Sequence, residues 1–205
     1  MARLLRRAEL PPLPDAGERD QHVILHHVSW EQYVALADAR GESAWPRLVY
    51  LEGDLEIMSP SQSHERFKKL IARLIEAYDE EREIGLFGFG STTYRKRARE
   101  RGLEPDECYC IGREKDLPDL AIEVVLTSGG VDKLAVYAGL CVPEVWFWAG
   151  GAFYVNQLVD GEYVARERSE LLPELDLARV AELINRASGR PDREIVADFR
   201  RSLRR

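Results

Sequence analysis

The order of elements between residues 64 and 148 constrains the fold of this chain more than any other feature. It reads as a long helix, three strands, a short helix and a fourth strand. A helix joining the third and fourth strands is a crossover connection, which favours a mixed sheet with helices packed on it. The long helix runs from about His64 to Arg82, with Phe67, Leu70, Ile71, Leu74, Ile75 and Tyr78 at the i, i+3, i+4, i+7 spacing of one apolar face. Ser61 or Ser63 stands where an N-cap belongs. Strands are expected near 91–95, 104–111 and 119–126, a short helix over 131–140, and an aromatic strand at Val145-Trp146-Phe147-Trp148.

The flanks are simpler. Ser29 to Gln32 reads as a capping box opening a helix to about Arg40, with Gly41 past its end. Arg47–Leu51 and Leu55–Met58 form an expected hairpin around Glu52-Gly53-Asp54. A second hairpin is expected at 152–158 and 162–166, and a helix at 176–187. Residues 1–22, with Pro11, Pro12 and Pro14, read as a loose arm, 23–190 as one domain, and 191–205, with four arginines near its end, as a charged tail.

Glu123 is the residue that the strand pattern does not explain. In Asp119-Leu-Ala-Ile-Glu-Val-Val, alternation puts Asp119, Ala121, Glu123 and Val125 on one face and Leu120, Ile122 and Val124 on the other, toward a core. An unpaired charge inside such a strand costs several kcal/mol. A bound Mg²⁺ removes the objection, and Asp106 on the neighbouring strand is the better partner, because Asp119 lies about 13 Å along the strand. Lys133, on the following helix, would orient an attacking water or stabilise charge developing on a phosphate. The competing reading is structural: Glu123 paired with an arginine, Lys133 solvated, and Pro-Asp, which occurs four times in the chain, a turn signal.

The order and spacing of several short pieces resemble the restriction-endonuclease-like family of bacterial proteins within the PD-(D/E)XK nuclease superfamily. The pieces are the run from Tyr50 to Pro60 with Ser61 and His64, Pro105-Asp106, the run from Pro118 to Val124, Asp132-Lys133, Tyr137, and the stretch from Gly139 to Trp146. They cover about residues 28–160. The resemblance implies an α/β fold with an αβββαβ core and mixed central sheet, here with an added N-terminal helix and β-hairpin. It implies Asp106 and Glu123 as metal ligands, Asp119 as a third acid or a strand-orienting residue, and Mg²⁺ or Mn²⁺ as the cofactor. The superfamily's Glu-x-Lys would put lysine at position 125, where this chain has Val125, so Lys133 is the replacement.

Other residues carry weaker signals. Glu52 is an outer acid near the site or, on the preferred reading, an exposed turn charge. His64 contacts phosphate or metal or, again preferred, is exposed in the first helical turn. Arg95, Lys96 and Arg97 grip DNA phosphates or decorate a solvated loop. Trp146 and Trp148 share a face offered to the core or to a second subunit. The Cys108-x-Cys110 pair lacks the further ligands zinc needs and reads as structural.

A net charge of −7 argues against a protein that coats nucleic acid nonspecifically. Three cysteines in no framework spacing, no leader and no apolar run long enough to span a membrane point to the cytoplasm. The reading is a metal-dependent endonuclease hydrolysing DNA, with a homodimer as the expected assembly. The alternatives are an inactive nuclease-fold module binding DNA or protein, and a hydrolase of a small phosphorylated molecule.

Overall fold

The computed structural model describes residues 19–41, 43, 45–97, 100–127 and 129–204. Most of the expected arm, 1–18, lies outside them. Along the chain run β1 (Gln21–Leu25), α1 (Trp30–Arg40), β2 (Arg47–Leu51), β3 (Asp54–Ser59), α2 (Gln62–Arg82), β4 (Leu86–Gly88), β5 (Tyr94–Lys96) and β6 (Arg101–Leu103). They are followed by β7 (Glu107–Ile111), β8 (Leu120–Val125), α3 (Lys133–Leu140), β9 (Glu144–Ala149), β10 (Ala152–Val159), β11 (Glu162–Arg166), α4 (Leu177–Asn185) and α5 (Asp192–Leu203).

The strands form two sheets. The six-stranded one has the order β11-β10-β9-β8-β7-β4, and the five-stranded one β1-β3-β2-β6-β5. In the six-stranded sheet β8 and β9 are parallel and the other pairs antiparallel. The parallel pair is the one joined by α3, as the crossover requires. With β5 and β6 set aside as an excursion into the other sheet, α2-β4-β7-β8-α3-β9 is the αβββαβ unit of the restriction-endonuclease-like fold.

Both faces of the six-stranded sheet are covered, which is why β8 reads as an almost unbroken apolar run. Leu120, Ile122 and Val124 pack with Leu70, Ile71, Leu74 and Ile75 of α2 and with α4 and α5. Ala121, on the opposite face, packs with Leu134 and Tyr137 of α3 and Val49 of β2. Trp146 and Trp148 belong to the first of these cores and are almost wholly buried, so they offer no face to a second subunit. A third core lies between α1 and the β2–β3 hairpin, with Trp30, Tyr33 and Tyr50 in ring contact.

Three departures from the sequence reading have physical reasons. The strand expected over 104–111 is two strands: the chain leaves one sheet after Leu103 and joins the other at Glu107, with Pro105, which has no N–H to give a ladder, between them. The chain before the capping box already forms β1, pairing antiparallel with β3. The expected charged tail is mostly α5, whose Ile195 and Phe199 are buried in the main core while Arg200 and Arg204 pair with Glu81 on α2.

Candidate active site

Asp106 and Glu123 are brought together by the β7–β8 register. Glu107 pairs with Ile122 and Cys108 with Ala121, so one step further places Asp106 opposite Glu123. Both residues are 0% exposed. Asp106 Oδ2 accepts the Val124 N–H at 2.6 Å, tying the acid directly to the strand that carries Glu123.

Two sets of partners neutralise the pair. Glu123 Oε2 accepts from Lys133 Nζ at 2.5 Å, and its Oε1 accepts from the Tyr137 hydroxyl. Lys133 and Tyr137 sit one helical turn apart on α3, on the same face. Burial, reinforced by the Glu123 charge, pushes the Tyr137 phenol well above its ordinary range, so it remains a donor. Asp106 Oδ1 faces His64 Nε2 at 2.9 Å and also pairs with Arg47. Arg47 in turn donates to Glu65 at 2.9 Å, and Lys68 reaches Ser91 at 3.2 Å.

His64 lies between two carboxylates, with Nδ1 2.8 Å from Asp20 Oδ2. Its ring is 0% exposed, so the expectation of an exposed first-turn histidine does not hold. Ser61 caps α2 with its side chain on the His64 N–H, which fixes where the ring enters the core. Asp20 Oδ1 also accepts the Ser61 N–H at 2.7 Å. Burial alone would raise the Asp20 carboxyl, but the hydrogen bond and charge of His64 and the Ser61 N–H outweigh it and hold it below the usual carboxylate range.

The remaining candidates fall elsewhere. Asp119 stands at the far end of β8, where its carboxylate accepts the Ile111 N–H at 2.8 Å and Lys115 Nζ at 2.6 Å; the structure does not bring it to Asp106 and Glu123. Glu52 is an exposed turn residue bonded to Arg101 at 2.6 Å. Arg95 and Arg97 pair with Asp38 and Glu31 of α1 at 3.1 and 2.9 Å, with Lys96 beside them on β5. The Cys108 and Cys110 thiols are buried and point at main-chain carbonyls, as a structural pair would.

Sequence reasoning missed Asp20 and Arg47, whose partners are distant in the chain, and Glu56, which is 4% exposed and accepts the Val131 N–H at 2.8 Å in front of α3. It also missed Glu107, whose carboxyl burial pushes up to about 7 against the opposing charge of Lys68. Tyr137 could have been assigned to Glu123 from its spacing to Lys133.

The donor set fits a small hard cation. Two fully buried carboxylates, one on β8 and one at the residue before the adjoining β7, supply what Mg²⁺ commonly takes from a protein, the rest of its shell being water and phosphate oxygen. Among the described residues no group of three or more His, Cys, Asp or Glu side chains is placed to hold a metal, so a closed all-protein cage of the zinc type does not match.

Fold and site together define a restriction-endonuclease-like α/β protein. The family model of Uma2, described as "Putative restriction endonuclease", matches residues 30–187, and the chain belongs to that family. A solved structure described as a putative nuclease belonging to DUF820, from Anabaena variabilis ATCC 29413, is similar with a TM-score of 0.53 and 14% identity, covering 75% of this chain and 99% of that one. At that identity the likeness speaks for the fold. No curated protein matches the chain. The family is of nuclease type, and no helix among the described residues is long and apolar enough to cross a membrane.

Proposed function

We propose that the protein is a divalent-metal-dependent endonuclease that hydrolyses DNA phosphodiester bonds, with Asp106 and Glu123 as metal ligands. The observation that carries this reading is the pair itself: two fully buried acids, Glu123 on β8 and Asp106 at the residue before the adjacent β7, with a lysine 2.5 Å from one of them. Mg²⁺ or Mn²⁺ bound there would supply Lewis-acid polarisation of the phosphate and a more acidic water. Water adds to phosphorus, the bond to the leaving oxygen breaks, and that oxygen ends with a proton.

The chain's own residues prepare the site for this. Tyr137 holds Glu123 in one orientation, and the Val124 N–H and His64 do the same for Asp106. Lys133 donates a hydrogen bond to the attacking water or to the charge developing on the phosphate, where a fixed cation lowers the barrier. Arg95 and Arg97 are in exposed ion pairs, which contribute little and exchange readily for backbone phosphates.

The test is conversion of supercoiled plasmid with Mg²⁺ or Mn²⁺ by parent and Glu123→Gln, purified side by side. Nicked or linear product from the parent alone is expected. Equal cleavage by both proteins removes Glu123 from the chemistry. No cleavage by either, with DNA still bound, favours a module that keeps the fold and not the reaction, consistent with acids already paired with Arg47 and Lys133.

A further inference from the structure

We propose that Asp20 is a positioning residue of the metal site, acting on Asp106 through His64 and supplied by chain outside the region that matches the family. The inference rests on the reading of Asp106 as a metal ligand. The family match begins at residue 30, whereas Asp20 lies just before β1. Its side chain is nonetheless 5% exposed and joins three separate pieces of the site.

Each contact has a distinct consequence. Oδ2 faces His64 Nδ1 at 2.8 Å, while the other ring nitrogen faces Asp106 Oδ1 at 2.9 Å. The ring therefore bridges the two acids, one nitrogen toward each, and its orientation is set from the Asp20 side. Oδ1 accepts the Ser61 N–H at 2.7 Å, anchoring the N-cap of the helix that carries His64. The Asp20 main-chain N–H donates to Thr127 Oγ1 at 3.1 Å, on the loop that follows β8 and Glu123. One residue therefore fixes the histidine that orients Asp106 and braces the exit of the strand that carries Glu123.

Asp20 also completes the hydrogen bonding of the buried ring. Without its carboxylate, His64 Nδ1 would lose the acceptor that it faces in the buried interior, a costly position for a polar atom. A ring released on that side no longer fixes the orientation of a carboxylate that must accept a divalent ion. Residues that orient metal ligands in this way commonly change metal affinity by about 10–100-fold when they are altered.

The experiment compares the full-length parent, Asp20→Asn and Asp20→Glu. Mn²⁺ affinity is measured by titration calorimetry, and the His64 ring nitrogens by ¹⁵N NMR at one fixed pH. Asp20→Asn keeps the size and one acceptor oxygen for the Ser61 N–H but removes the charge. It is expected to melt cooperatively, to bind Mn²⁺ about 10–100-fold more weakly, and to show His64 ring-nitrogen shifts displaced from the parent's. Asp20→Glu, which restores the carboxylate, is expected to bring the His64 shifts back toward the parent's and to recover part of the affinity. If Asp20→Asn does not fold, Asp20→Glu carries the test, and its affinity must still fall below the parent's because the carboxylate is displaced by a methylene. Parent-like Mn²⁺ affinity and parent-like His64 shifts in a folded variant overturn the inference. A parent that binds no Mn²⁺ overturns the metal-site reading itself, a different result from a parent that binds and a variant that binds equally well.

Discussion

Replacing Lys133 with methionine isolates the energetics of the buried acid. The change keeps most of the side chain's apolar length and removes only the ammonium, leaving Glu123, which is 0% exposed, with the Tyr137 hydroxyl as its remaining side-chain donor. Breaking a buried ion pair by deleting one partner costs about 3–5 kcal/mol, because the other charge stays in the interior. The lower end applies here: Lys133 is 15% exposed, so water can reach the vacated position, and Tyr137 still donates. For a chain of this size about 3 kcal/mol corresponds to a fall in Tm of roughly 6–12 °C.

The assay is thermal unfolding followed by circular dichroism, first in EDTA and then in excess Mg²⁺ or Mn²⁺. An ion bound only by the folded state adds about 2.7 kcal/mol at one hundred times its Kd, enough to return most of what Lys133→Met loses. The double variant Lys133→Met, Glu123→Gln removes both charges. It is expected to melt above Lys133→Met in EDTA and to gain nothing from the metal. Two results would refute the reasoning: a single variant that melts with the parent in EDTA, or a double variant no more stable than the single one.

Three further outcomes follow from particular contacts. Phe199→Ala is expected to cost about 3–5 kcal/mol in urea denaturation, since the ring is almost fully buried in the main core; a loss under about 1 kcal/mol would mean that α5 is not docked as described. Asp119→Asn is expected to leave Mn²⁺ affinity at the parental value, because its carboxylate serves Lys115 and the Ile111 N–H at the far end of β8; a tenfold loss would return Asp119 to the ligand set. Hydrogen bonds from Arg204 and Arg200 hold the Glu81 carboxyl down at about 2 from an ordinary 4.5. Its folded value lies below its unfolded one, so its contribution is complete above 4.5 and disappears as pH falls through about 2. The Tm gap between the parent and Glu81→Gln should therefore be open at neutral pH and closed at the acid end, and a gap independent of pH would exclude the ion pairs as its source.

The parts of the site visible in the sequence are those that violate a local pattern. Glu123 was legible because one charge interrupts an otherwise apolar strand, and Lys133 because it opens the helix that must cross back over that strand. Asp20 was not legible, since an acid among acids, arginines and prolines violates nothing and its burial depends on Ser61, His64 and Thr127. Helix α5 is a different case. Ile195, Val196, Phe199 and Leu203 carry a helical period, but the interleaved arginines read as a solvated tail. Two of those arginines are committed to Glu80 and Glu81 on α2, a use of charge that no local window reveals.

The break between β6 and β7 explains why Asp106 occupies its position. A single strand over 104–111 would have left that acid as one more ladder residue. Instead the chain changes sheets across Glu104 and Pro105, and the two acids flanking the proline are drawn to different partners. Glu104 accepts from Arg40 of α1 and, at 2.7 Å, from Thr93. Asp106 turns toward β8 and accepts the Val124 N–H with its side chain. A buried N–H without a partner is costly, so a short acceptor at this point is a requirement of the fold before it is a requirement of any chemistry. The same crossing of sheets brings β2, with Arg47, over the end of β7. The acid, its counter-charge and the neighbouring Glu123 thus meet where the two sheets exchange the chain, and the proposed metal ligands stand on main chain that the sheet change has already fixed.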